Sequence, residues 1–422
     1  MIIEFKVKNF LSFRDEQILS FEASSDKHLE DYHCIKVDED VKVLRICMIY
    51  GSNASGKSNL LLALDFLRKI CLETKERNAK TGFFPFGFDQ GTKNEPGYFE
   101  ISIYAKGKKY VYSVSIDATF VHEEKLVYFP SAQPALIFHR QYLKATDDYI
   151  LKTGSKIKVN PIELAVLKSN TLNNMTLISG FSKTNIKFPE LSNVYNWFND
   201  TLKAIIKPSN ELYRETISQI INQPLHFKEF IFDGLEKADF NISDIYIEPE
   251  AEIIPENKEF NKVDDINLMA SYRRKDVYFL HQSKQGDDLF TEKLDIKFQS
   301  AGTLKYFGLL GLIKLAIDNH LIINFDELEN SLHPELINHL INTYLYHSKL
   351  GGSCSQFVFT THHIDMLAAD FVRKDIVWFT EKRNDGSTNL YSLSDFDIRK
   401  NLSFINAYKA GKFGALPNLG II

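Results

Sequence analysis

Residues 49–64 read "IYGSNASGKSNLLLAL". Glycine, asparagine and serine separate an apolar run from an apolar helical pattern, with one lysine and one serine at the join. The run upstream, "VKVLRICMIY" at 41–50, reads as a nearly continuous apolar strand, of the kind a parallel sheet buries on both faces. Downstream, Leu60, Ala63, Leu64 and Leu67 share one helical face. Between them, "GSNASGKS" at 51–58 fills the pattern G-x-x-x-x-G-K-S/T in full. Gly51 and Gly56 let the backbone curl, so that the N–H groups of Ser52, Asn53, Ala54 and Ser55 face inward, and the helix starting near Lys57 adds its positive dipole end. Lys57 then reaches the β- and γ-phosphates of a nucleotide as a point charge. Ser58 offers its hydroxyl to Mg²⁺, and Asn59 closes the set. A glycine-rich turn can match by chance, but the strand before and the helix after are what the phosphate reading requires. ATP and Mg²⁺ are therefore the expected cofactors.

Working outward, 422 residues suffice for one large domain or two to three ordinary ones. With 44% apolar and 25% charged residues and a formal charge of −5, the composition is globular and argues for no particular partner. Cys34, Cys47, Cys71 and Cys354 are far apart with no C-x-x-C pair, which suggests neither a disulfide framework nor a zinc knuckle and fits a reducing cytoplasm. The start, "MIIEFKVKNF", alternates like a half-buried strand and not like a signal peptide. The longest apolar stretch, "FGLLGLIKLAI" at 307–317, is too short to span a bilayer. "EQILSFEA" at 16–23 reads as a second strand, and "YFEISIYAKGKKYVYSVSID" at 98–117 as a hairpin. Stretches at 162–170, 194–206 and 212–223 read as helical, whereas 242–267 mixes a strand with an acidic, proline-containing loop.

A nucleotide site that hydrolyses also needs a metal carboxylate and a group to orient water. "LIINFDELENS" at 321–331 offers both: an apolar strand ends in Asp326 and Glu327, where a parallel sheet presents its ligand-binding edge. Asp326 is the expected Mg²⁺ ligand and Glu327 the group that orients water. The competing reading is two surface acids at a strand end. Just upstream, "QSAGT" places Ser300 and Gly302 at the start of an apolar helix, a ready anion site or an ordinary serine N-cap. Downstream, "SLHPEL" at 331–336 opens another helix and "FVFTTHH" at 357–363 ends a strand in His362, whose imidazole can donate to phosphate. A right-handed crossover places the two strands side by side, so that Asp326 and His362 meet at one sheet edge. His333, His339 and His347 read as surface histidines and not as a metal site.

The order of phosphate loop, Ser-x-Gly helix start, acidic strand, "SLHPEL" and strand-end histidine resembles the ABC-type ATPase heads of the SMC and RecF class. The resemblance implies an α/β P-loop NTPase of that head type, with a mixed sheet, an antiparallel N-terminal part and an inserted helical lobe. It also implies that Ser300 and Gly302 cap the γ-phosphate of ATP held by a second subunit, that Ser331 to His333 cross the dimer, and that His362 is the γ-phosphate switch. With "IEFKVKNFLSFRDEQILSF" at 3–21, "VYFLHQ" at 277–282 and "INAYKAGKFGALPNL" at 405–419, the chain looks more narrowly like the AAA-family ATPases of bacterial abortive-infection systems, the RloA or AbiL type. A clear glutamine loop of such heads is missing from the sequence, and Gln90 is the candidate stand-in for it. Overcoming-lysogenization nucleases carry a Toprim domain behind a similar head, and no such domain is expected here.

The expected organisation is an N-terminal ATPase lobe over 1–160, a helical insertion over 161–240 and a C-terminal ATPase lobe over 241–422. The expected function is an ATP-binding and hydrolysing switch in phage defence, a homodimer or higher homo-oligomer that controls a separate nuclease or toxin without a membrane. The alternative is a RecF/SMC-like DNA-maintenance ATPase, motivated by "YRRKD" at 272–276 and by Lys6, Lys8, Lys409 and Lys412. A transporter subunit ranks below both.

Overall fold

The computed structural model describes residues 1–38, 41–207, 212–248, 276–285, 288–397 and 403–416. The acidic loop beyond 248 and most of "YRRKD" lie outside them. Two compact units divide the chain: 1–208, 315–330 and 341–422 form one, 209–314 and 331–340 the other.

Among the described residues the first unit holds two large sheets and a two-stranded one, Cys34–Lys36 with Lys42–Leu44. Seven antiparallel strands run in the order Asp148–Thr153, Ala135–Leu143, Val121–Phe129, Lys108–Ile116, Gly97–Ala105, Ile2–Lys8, Gln17–Ser20. The alternation read at the N-terminus is realised in Ile3, Phe5 and Val7, all buried. The second sheet runs Leu202–Ile206, Ile322–Phe325, Gln356–Thr361, Ile46–Gly51, Val377–Lys382, Thr388–Ser392. Its first five strands are parallel and the last is antiparallel, so the mixed α/β architecture is present. Ile46–Gly51 is buried at every residue, as its unbroken apolar run requires. The helix after the loop, Lys57–Leu72, joins one hydrophobic cluster with both sheets: Leu60, Leu64 and Leu67 pack in it with Phe5 and Phe99 from one and Ile49 and Val358 from the other.

The stretch 194–206, read as one helix, divides. Helix Pro189–Asn196 passes through a π-helical turn, Trp197–Thr201, into strand Leu202–Ile206. Its apolar residues suit either period, and tertiary partners decide the outcome. The strand pairs with Ile322–Phe325, and from Lys57–Leu72 Arg68 Nε donates to Leu202 O at 2.7 Å while Asp65 Oδ1 accepts from Ile205 N at 3.3 Å.

The described part of the tail packs beside the phosphate-loop strand. Helix Phe404–Lys409 stacks Tyr408 on Phe379 with ring centroids 5.6 Å apart, and Tyr408 lies 6.5 Å from Tyr50. The second unit contains helices Leu212–Asn222 and Leu225–Lys237, a three-stranded antiparallel sheet, and the first turns of helix Ala301–Asp318. Gly308 and Gly311 let two helices touch, since a Cβ on Gly311 would sit 2.2 Å from Thr216 Oγ1.

One buried histidine makes stability pH-dependent. His33 is fully buried, and burial first, then the Arg373 guanidinium, lowers its pKa from 6.5 to about 4. The unfolded chain binds that proton first, so stability is complete above pH 6.5 and falls as pH drops towards 4, by up to roughly 3 kcal/mol. Between pH 7 and 4.5 the melting temperature of the His33→Leu variant should fall less steeply than that of the wild type. Parallel slopes would contradict this.

Candidate functional site

The loop after Ile46–Gly51 is shaped by contacts that admit no side chain at its glycines. A Cβ on Gly51 would lie 2.4 Å from both Ser55 Oγ and Thr380 Oγ1, and one on Gly56 2.3 Å from Thr388 Oγ1. Gly56 also holds φ at 108°, a conformation that favours glycine. Ala54 sits at φ 61°, and Asn53 and Ala54 are exposed at the tip. Gly56 precedes the helix with no side-chain cap, which leaves first-turn N–H groups available to an anion.

Lys57 folds back over its own loop. Nζ donates to Gly51 O at 2.9 Å and Ser52 O at 3.1 Å and lies 3.3 Å from His362 Nδ1, which occupies the three protons of an ammonium. Burial lowers its pKa from 10.5 to about 8, against the opposing pull of Glu329, Asp326 and Glu327. Ser58 donates from Oγ to Asp326 Oδ1 at 3.1 Å, and Thr360 donates to the same oxygen at 2.7 Å. Thr360 Oγ1 in turn accepts Glu327 N–H at 2.8 Å. Glu327 is exposed and holds φ at 52°, a left-handed turn costing a β-carbon residue about 1 kcal/mol or more, of the sort found at functional sites. Its Oε1 is 4.0 Å from His362 Nε2.

Three neighbouring parallel strands therefore deliver Lys57 and Ser58, Asp326 and Glu327, and His362 to one sheet edge. Asn324, which interrupts the acidic strand's apolar run, is buried all the same, its Nδ2 donating to Lys203 O at 3.0 Å. Ser58 and Asp326 supply the hard oxygen donors that suit Mg²⁺, which keeps most of its own waters. Among the described residues no group of three or more His, Cys, Asp or Glu forms a protein-only metal cage.

Ser300 and Gly302 lie in the second unit. Ser300 is exposed and caps helix Ala301–Asp318: its Oγ accepts Thr303 N–H at 3.0 Å. A Cβ on Gly302 would lie 3.0 Å from Ser331 O, and Ser331 itself turns left-handed at φ 64°. Gln90 is exposed, and its carbonyl accepts from Asn94 Nδ2; no described hydrogen bond brings its side chain to Ser58 or Asp326.

The sequence reading missed a girdle of hydroxyls behind the loop. Asn59 Nδ2 donates to Ser12 Oγ at 2.8 Å, Ser12 Oγ is 2.8 Å from Thr388 Oγ1, and Thr388 donates to Ser55 O at 2.8 Å. Ser55 Oγ and Thr380 Oγ1 are 2.6 Å apart. Asn59 thus points away from phosphate duty and ties the helix to the N-terminal segment. Isolated serines and threonines carry no spacing signal, and only the fold collects them.

The loop, the strand-end acid and the buried lysine define a P-loop nucleotide-binding protein of mixed α/β fold. Residues 46–148 and 169–368 match the family described as "AAA domain, putative AbiEii toxin, Type IV TA system", and the chain belongs to that family. It is an ATPase of the AAA type. Among solved structures it is similar to the SMC head domain from Thermotoga maritima, at 13% identity and TM-score 0.44, over 93% of this chain and 98% of that one. It is also similar to the Smc head domain with an extended coiled coil bound to the C-terminal domain of ScpA, derived from Pyrococcus furiosus, at 12% identity and TM-score 0.38, over 97% and 98%. No curated protein matches the chain. Among the described residues no helix is long and apolar enough to cross a membrane.

Proposed function

We propose that this chain is an ATP-binding and hydrolysing switch whose two copies close on ATP and thereby control a separate effector, a nuclease or toxin, in a cytoplasmic anti-phage system of the RloA or AbiL type. The convergence of Lys57, Ser58, Asp326, Glu327 and His362 at one sheet edge carries the catalytic part of this reading. The family's description, which names a toxin of a type IV system, supports the defence setting.

In this mechanism the N–H groups of 52–56 and the first turn of helix Lys57–Leu72 hold the phosphates of ATP. Lys57 exchanges its loop carbonyls and His362 for phosphate oxygens. Ser58 and Asp326 hold Mg²⁺, which supplies charge neutralisation at the phosphates. Glu327 orients the attacking water and accepts its proton, and His362 reports the γ-phosphate. Exposed Ser300, with Gly302, meets the γ-phosphate on the second copy, and Ser331 to His333 line the path between copies.

The DNA-maintenance reading draws less from the described residues. Lys6 is paired with Glu100 at 2.9 Å and Glu4 at 3.3 Å, and Lys409 lies 3.9 Å from Asp365.

Two substitutions at Ser300 test the trans contact. Ser300→Arg removes the cap, at about 1 kcal/mol, and adds bulk; Ser300→Asp keeps the cap but sets a negative charge against the triphosphate. Both should bind ATP normally and fail to dimerise on ATP in sedimentation velocity. ATP-dependent dimers of both variants would refute the contact.

A further inference from the structure

Glu329 leaves the acidic strand three residues after Asp326, and the mechanism above gives it no task. Its Oε1 accepts the backbone N–H of His362 at 2.5 Å. Its Oε2 is buried without a hydrogen-bond partner, as is the hydroxyl of Tyr50, the residue before Gly51. Leaving a carboxylate oxygen unpaired in a shielded site is costly, and such an arrangement persists where another demand fixes the side chain. Here the demand is the histidine loop: His362 follows the end of strand Gln356–Thr361, so its ring direction depends on how its own backbone is held. With that N–H tied to Glu329, the imidazole places Nδ1 at 3.3 Å from Lys57 Nζ and Nε2 at 4.0 Å from Glu327 Oε1.

We propose that Glu329 is the positioning residue of the switch histidine: through the His362 N–H it locks the loop after strand Gln356–Thr361 to the segment after the acidic strand, so that one imidazole spans Lys57 and Glu327. The proposal rests on the ATPase reading for its consequence in turnover, though not for the anchor itself. Glu329 touches neither phosphate nor water; beyond the pull of its charge on Lys57, it acts through His362. Glutamine keeps a carbonyl oxygen at the same place and can still accept the N–H; alanine cannot.

The test combines hydrogen–deuterium exchange with steady-state ATPase kinetics on full-length protein. In Glu329→Ala the amide of His362 should exchange faster than in the wild type, and kcat should fall roughly tenfold to a hundredfold with KM nearly unchanged, the size of effect that slight misplacement of a catalytic group produces. Glu329→Gln should restore both protection and kcat. In a His362→Ala background, Glu329→Ala should add little further loss, because the two act as one unit. Unchanged exchange in Glu329→Ala would overturn the anchor, and an undiminished kcat loss in the His362→Ala background would overturn its action through the histidine. A Glu329→Gln variant that keeps protection but loses turnover like alanine would assign the effect to charge and overturn positioning. If the wild type does not hydrolyse ATP, the ATPase reading falls and the exchange comparison still decides the anchor.

Discussion

Glu327→Gln should bind ATP with nearly wild-type affinity while its turnover falls by roughly 10²- to 10⁴-fold, the range lost when a general base is removed. Glutamine is nearly isosteric, and the backbone of this residue is held independently of its side chain: Thr360 Oγ1 accepts its N–H, and the same threonine anchors Asp326. The left-handed turn and the Asp326 carboxylate therefore survive the exchange. What disappears is the carboxylate that faces His362 Nε2 at 4.0 Å and that, in the proposed mechanism, takes the proton from the attacking water. Phosphate release in single turnover separates this from slow product release. Hydrolysis at close to the wild-type rate would remove Glu327 from the role and leave water activation to another group.

Lys57→Ala should weaken nucleotide binding by roughly one to two orders of magnitude while leaving the fold intact. A charge-assisted hydrogen bond to phosphate contributes about 1.5–3 kcal/mol, so its loss weakens binding by roughly 10- to 150-fold. The loop does not depend on the lysine for its shape, because Gly51 and Gly56 are wedged by Thr380, Thr388 and Ser55. Holding the ammonium in its buried position is itself costly, as its pKa of about 8 against an ordinary 10.5 records, so the melting temperature of the apo variant should be equal to or above that of the wild type. The same shift sets the pH profile of the wild-type protein. Phosphate favours the charged lysine, whereas the free site loses its proton above pH 8. Affinity should thus be level up to about pH 7 and decline beyond 8, each nucleotide bound taking up a proton. A level affinity through pH 9.5, or a destabilised alanine variant, would contradict the arrangement.

Much of this site could be read without coordinates because two of its parts sit at strand ends within distinctive local patterns. "GSNASGKS" needs only its own spacing, and "IINFDE" needs only an apolar run that stops at acids. Pairing Asp326 with Ser58, 268 residues away, follows once the strands are taken as neighbours in a parallel sheet. The girdle of Ser12, Thr380 and Thr388 was illegible, since single hydroxyls become a network only when three distant segments meet. Strand Leu202–Ile206 escaped for a related reason: it is short, follows a helix through a π-helical turn, and owes its conformation to the strand beside it and to Arg68 and Asp65. Glu329 was overshadowed by the Asp-Glu pair before it, and its bond to the His362 backbone cannot be inferred from residue type. At Ser300 both sequence readings remain compatible with the fold, because a cap that engages one N–H can still present an exposed hydroxyl edge to a partner.

Enclosure of ATP between two copies should register in the mass of the Glu327→Gln protein in solution. Light scattering coupled to size exclusion should give twice the protomer mass with ATP and Mg²⁺, and a lower mass with ADP or without nucleotide. A single-protomer mass under all three conditions, at nucleotide levels that saturate the site, would contradict it.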